Sequence, residues 1–135
     1  MLRLFVDTSA WFAFANRDDP EHKGVAALLG KSRGRLITSN FIFDETVTLC
    51  QRRLGHSVAE KVGRALLDSA RVDLLRITPE DENAAWELFC KRPDHTYSFT
   101  DCTSFVIMRR LGIETAAALD DDFVSEGFES LPEER

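Results

Sequence analysis

The chain opens on an alternation, MLRLFVD, in which Leu2, Leu4 and Val6 fall on one side of an extended segment and Arg3 and Phe5 on the other. Thr8 and Ser9 follow, so 2–6 reads as a strand handing over to a helix at about 8–16. Asp19-Pro20 opens a second helix running through Leu29, because proline suits the first helical turn. Leu36 to Thr38 is a short strand. Helix 40–54 ends at Gly55, and helix 57–70 starts from a Ser57 cap with Glu60 at the matching position. VDLLRI at 72–77 predicts a strand, 79–91 a helix introduced by Thr78, Pro79 and Asp81, and 99–111 a helix stopped by Gly112. A strand at 114–119, a further one near Phe128 to Leu131 and a frayed tail at 133–135 complete the reading. Strands separated by helices give a mostly parallel sheet with helices on both faces, an α/β fold. The 135 residues form a single domain, 1–135, without repeats or linkers.

On that scaffold the acidic residues become informative. Asp7 ends the first strand, where open α/β sheets place their ligands. Within NFIFDETVTLC, Glu45 shares a helical row with Ile42 and Leu49 and so points inward, whereas Asp44 shares one with Asn40, Thr48 and Gln51 and faces water. Asp101 lies on the row of Phe105 and Met108, and with Ser98 it also completes a capping box. The two roles are compatible. ETAAALDDDF carries a small-residue strand into three mutually repelling aspartates, of which Asp121 is expected to face water. A parallel sheet would set Asp7 beside Asp120 at its carboxyl edge, with Glu45 and Asp101 brought over them by helices 40–54 and 99–111.

Composition narrows the function. At 44% hydrophobic and 30% charged, with no run long enough to span a bilayer and no signal-peptide core at the start, the chain reads as cytoplasmic, with no membrane partner. Cys50, Cys90 and Cys102 are odd in number and lie among apolar helical residues, as reduced core thiols do. His22, His56 and His95 are scattered at loops or helix starts, so zinc spacing is absent. A net charge of −6 counts against a broad basic face for duplex nucleic acid, yet it suits a carboxylate cluster that holds metal. The loop Lys31, Arg33, Arg35 is the expected phosphate contact. Lys91-Arg92, Arg52-Arg53 and Arg109-Arg110 are expected on solvated surface. Trp11, Phe12, Phe14, Trp86 and Phe89 are expected in the core or at a subunit contact, and Tyr97 and Phe99 are the candidates for stacking on a base.

VDTSAW, the Asp44-Glu45 pair after a short strand, SFTDCTSFVIMRRLGI and the closing ALDDDF together resemble the PIN-domain ribonucleases, especially VapC-like toxins of type II toxin–antitoxin pairs. The resemblance implies a three-layer α/β/α sandwich around a mostly parallel sheet, with an acidic pocket that binds Mg²⁺, or Mn²⁺ in its place. It implies hydrolysis of RNA phosphodiesters by a metal-activated water. It carries over firmly onto Asp7, Glu45 and Asp101. The fourth acid is Asp120 or Asp122, with Asp120 favoured because it directly follows the strand. Thr8 or Ser9 resembles the hydroxyl that orients the first aspartate, and Thr100 stands beside Asp101 as a further support. The implied partners are an RNA substrate, a small antitoxin whose C-terminal segment occupies the groove, and a second copy of the chain in a homodimer. A PIN nuclease of RNA processing would need no antitoxin. Carboxylates suit this chemistry because Mg²⁺ and Mn²⁺ prefer oxygen ligands.

Three other readings fit less well. A phosphatase with an aspartyl nucleophile needs a second acid two residues after Asp7, where Ser9 stands. A receiver-like domain wants paired acids at the first strand and a late lysine. A catalytically silent binding module would lack one of the acids, and none is missing.

Overall fold

Leu4, Phe5 and Val6 are all buried, so the first strand, β1 (Arg3–Val6), is covered on both faces and its apparent alternation is incidental. The computed structural model describes residues 2–133, and Glu134 and Arg135 of the expected tail lie outside the described residues. In chain order β1 is followed by α1 (Thr8–Ala15), α2 (His22–Lys31), β2 (Arg35–Ser39), α3 (Asn40–Leu54), α4 (His56–Asp68), β3 (Val72–Leu75), α5 (Pro79–Lys91), α6 (Phe99–Leu111), β4 (Thr115–Ala117), α7 (Asp122–Ser125) and β5 (Glu129–Leu131). All four strand pairings are parallel, in the order β3-β2-β1-β4-β5. Arg3 is level with Arg35 and Val6 with Ala117, so one edge of the sheet collects every strand start and the other every strand end. Helices α1 to α4 pack on one another and α5 packs on α6, giving the α/β/α layering.

The core is apolar and aromatic where these layers meet. Phe105 lies edge-on to Phe123 at 5.0 Å and Phe123 in turn meets Phe5 at 6.2 Å, all three fully buried. Each such ring contributes about 2–3 kcal/mol by leaving water. Two glycines have conformational work to do. Gly55, at φ 95°, turns the chain sharply enough to end α3 and begin α4 as the single residue between them. A Cβ on Gly34 would stand 1.8 Å from the Leu2 carbonyl oxygen, the group that accepts from the Arg35 N–H at 2.9 Å.

Several boundaries differ from expectation for physical reasons. The second helix begins at His22, because Asp19 instead accepts from the Glu21 N–H at 2.8 Å and holds Pro20 in a turn. Ser57 does not cap α4, since Gly55 has already reversed the chain and α4 starts at His56. Strands β3 and β4 are shorter than the apolar pattern predicts. The one-turn helix α7 has no counterpart in that pattern. Cys50 and Cys102 are buried as expected, but Cys90 is exposed, four residues along α5 from the exposed Trp86. Phe14, Trp86 and Phe89 also reach solvent, whereas Trp11 is buried. No helix among the described residues is long and apolar enough to cross a membrane.

Candidate active site

Asp7 is where the strand edge and a helix start coincide. Its backbone is extended and its side chain caps α1, with Oδ2 accepting from the Ser9 N–H at 3.2 Å and the Ser9 hydroxyl at 2.8 Å. The same Ser9 oxygen accepts from the Leu119 N–H at 3.0 Å, tying the first aspartate to the segment that leads out of β4. The other carboxylate oxygen, Oδ1, is buried and has no hydrogen-bond partner. Burial is the main reason that the Asp7 carboxyl titrates at about 7, opposed by the Ser9 hydrogen bond and reinforced by the charges of Asp101 and Asp120.

The other acids arrive from separate elements. Glu45 is half-buried on α3 and accepts the Thr8 hydroxyl, whereas neighbouring Asp44 is exposed, as the helical rows required. Asp101 is the third residue of α6. Its Oδ2 accepts from the Ser98 N–H at 2.9 Å while Ser98 Oγ accepts from the Asp101 N–H, so the capping box is real. Capping does not remove Asp101 from the cluster. Burial raises its carboxyl to about 6, partly offset by the Ser98 backbone and increased by Asp122, Asp120 and Glu45.

The fourth position is a turn. Strand β4 stops at Ala117, so Asp120 does not directly follow it, which removes the ground for favouring that residue. Asp120 is exposed and its Oδ1 accepts from the Asp122 N–H at 3.1 Å. Asp122 begins α7, and burial followed by the charges of Asp120 and Asp121 raises its carboxyl. Asp120 bears electrostatically on both Asp7 and Asp101, and Asp122 on Asp101. Thr8, Glu45 and Thr100 line a cleft of about 410 Å³ together with Asp44, Thr48, Leu49 and Arg52.

Of the four expected RNA contacts three lie elsewhere, and the fourth, Tyr97, is buried. Lys31, Arg33 and Arg35 precede or open β2 and so sit at the strand-start edge, away from the acids at the strand-end edge. Arg35 is moreover held by Asp73 and by the Ala70 carbonyl. Tyr97 is 5% exposed and lies edge-on to Phe105 at 4.9 Å, which commits its ring to the core.

Arg109 and Arg110 are exposed, as expected, but they and Arg92 also serve as anchors. The Glu126 carboxylate receives Arg92 at 3.0 Å and Arg109 at 2.9 Å, while Arg110 grips Asp81 through two bonds of 2.9 Å. These arginines lower the carboxyls of Glu126 and Asp81 against the opposing effect of burial. Glu126 follows α7 directly, so the clamp fixes the turn that carries Asp120 and Asp122. Partners separated by 34 and 17 residues leave no local signal for a sequence reading to find.

A cluster of hard oxygen donors containing a buried, unpartnered carboxylate oxygen fits a divalent cation. Among the described residues no three acidic, histidine or cysteine side chains already converge as a coordination shell. Hydroxyls of Thr8 and Ser9 hold two of the carboxylates.

Comparison with known proteins agrees with this geometry. The PIN domain profile matches residues 4–128. The chain is 38% identical over 125 residues to the 23S rRNA-specific endonuclease VapC20 of Mycobacterium tuberculosis, covering 93% of this chain and 95% of that one. It is 30% identical over 119 residues to a VapC ribonuclease of Archaeoglobus fulgidus, covering 84% and 74%. The crystal structure of the Mycobacterium tuberculosis VapC20, described as a sarcin–ricin loop cleaving toxin, superposes with a TM-score of 0.89 over 93% of this chain and 95% of that one. A strand-end aspartate, three acids from other elements and matches along nearly the whole length place the chain in the PIN-domain family, among its VapC ribonuclease toxins.

Proposed function

We propose that the protein is a divalent-metal-dependent endoribonuclease, the toxin of a toxin–antitoxin pair, cutting a looped RNA with Mg²⁺ as its cofactor and Mn²⁺ able to replace it. The buried, unpartnered Oδ1 of Asp7, on a carboxylate that feels the charges of Asp101 and Asp120, is the observation that carries this reading. Asp7, Glu45, Asp101 and one or both of Asp120 and Asp122 would hold the ion. When bound, the cation supplies charge neutralisation and water activation. Thr8 and Ser9 orient Glu45 and Asp7, and the Glu126 clamp keeps the acidic turn in place.

The relative that acts on 23S rRNA makes the sarcin–ricin loop the first substrate to examine. A looped strand also bends into an acidic cleft more readily than a duplex. A small antitoxin with a cationic C-terminal segment would pair with the same cleft. A homodimer in the cytoplasm is the proposed working form. Purified protein is to be incubated with ribosomes and with a sarcin–ricin hairpin in Mg²⁺ and in Mn²⁺, with chelator and Asp101→Asn as controls. A discrete cut lost in both controls is expected. Cleavage that survives chelation would overturn the reading.

A further inference from the structure

An acidic site that works on RNA must hold the strand by phosphates other than the one being cut, and the basic loop that the sequence suggests is at the wrong end of the sheet. Most arginines near the middle of the fold are already engaged. Arg92, Arg109 and Arg110 are committed to Glu126 and Asp81, and Arg53 lies over the Phe12 ring at 6.0 Å. Arg52 differs. It is exposed and, among the described residues, makes no hydrogen bond or ion pair, yet it lines the same cleft as Glu45, Thr8 and Thr100.

Its place on α3 gives the geometry. Seven residues separate Glu45 from Arg52, two helical turns or about 10 Å along one face, with Thr48 and Leu49 between them. A strand with its scissile phosphate at the acids and its backbone following α3 would present a neighbouring phosphate to the guanidinium. The cleft offers no other cation among its lining residues. A guanidinium suits phosphate through paired N–H donors and keeps its charge at any working pH.

We infer that Arg52 binds an RNA phosphate one or two nucleotides from the scissile bond and is a positioning residue for cleavage. This rests on the ribonuclease reading above. The test is binding of a labelled sarcin–ricin hairpin by the Asp101→Asn protein across a KCl series at fixed low Mg²⁺, with Arg52→Gln, Arg52→Lys and Arg33→Gln added to it. Arg52→Gln is expected to weaken binding about three- to tenfold and to flatten the slope of log affinity against log salt by about 0.7–0.9, one phosphate contact. Arg52→Lys should restore the slope, and Arg33→Gln, at the far edge, should leave it unchanged. In the cleaving protein, Arg52→Gln should raise KM with little change in kcat. An unchanged slope in Arg52→Gln, or the loss appearing in Arg33→Gln instead, would overturn the inference while leaving the ribonuclease reading intact. Failure of the wild-type protein to cut and of the Asp101→Asn protein to bind would overturn both.

Discussion

Replacing Asp7 by asparagine should stabilise the metal-free protein at neutral and alkaline pH while removing its response to metal. The carboxyl of Asp7 moves from 3.8 in an unfolded chain to about 7 in the fold, mainly through burial. Below the lower value both states are protonated and the group has no effect on stability. As pH rises through that window the unfolded chain ionises first, so folding increasingly carries the cost of keeping the carboxyl neutral. Above pH 7 the whole cost is present, about 4 kcal/mol from the shift alone and about 2 kcal/mol if the new side-chain amide leaves a buried donor unpaired where Oδ1 now sits. Asparagine keeps an acceptor for Ser9 but cannot ionise. For a chain of this length, about 2–4 kcal/mol corresponds to a shift of about 6–15 °C in Tm. The assay is thermal unfolding with chelator and with saturating Mn²⁺, near pH 5 and near pH 8. With chelator the wild-type protein should melt lower at the higher pH, the Asp7→Asn protein should fall much less, and only the wild type should gain strongly from Mn²⁺. Asp101, at about 6, leaves a smaller residual slope of the same sign. Equal wild-type melting at the two pH values, together with a lower melting point for Asp7→Asn near pH 8, would refute the argument.

The remaining predictions concern the frame around the acids. Asp120→Asn should weaken Mn²⁺ binding, read by the rise in melting temperature, more than Asp122→Asn does, because Asp120 bears on both Asp7 and Asp101. Glu126→Ala should cost about 2 kcal/mol in urea unfolding, by stranding Arg92 and Arg109, and should also lower metal affinity; unchanged metal affinity would mean the clamp stabilises without positioning. Below about pH 4 the folded protein should lose stability as Asp81 and Glu126, both lowered by arginine, are protonated, the opposite sign to Asp7. Gly34→Ala should destabilise by about 2–4 kcal/mol, since the added methyl meets the Leu2 backbone, and a near-neutral result in chemical unfolding would contradict that geometry.

Local pattern made the elements legible, and it made three acids legible with them. Asp7 could be placed because a strand end and a helix cap are both written in a few consecutive residues, and Glu45 because helical rows separate it from Asp44. Asp101 could be placed as a cap from its spacing to Ser98, and as an inward-facing acid from the helical row it shares with Phe105 and Met108. What could not be read was anything set by register between distant strands. The basic loop at 31–35 looked suitable by composition, but parallel pairing of Arg3 with Arg35 sends it to the opposite edge. Tyr97 looked available because it neighbours the acidic motif, yet Phe105, further along α6, claims its ring. The identity of the fourth acid depends on where β4 stops, and that is decided by β5 and α7, short elements whose own pattern is weak.

The acidic turn is therefore held by two devices that sequence reading treats as unrelated. At its entrance the Leu119 N–H donates to Ser9, whose hydroxyl in turn donates to Asp7, so the first aspartate and the fourth-acid segment share one oxygen. At its exit Glu126 is gripped by arginines from the end of α5 and from α6, the helix that begins with Asp101. Repulsion among Asp120, Asp121 and Asp122 would by itself open this turn toward water. Tethering both ends opposes that opening and keeps carboxylates within reach of Asp7 and Asp101. The arginines of the clamp are not among the charges that shift Asp7 or Asp101. They secure the turn without giving the buried Asp7 oxygen a hydrogen-bond partner, and the cation proposed for this site would be what meets it.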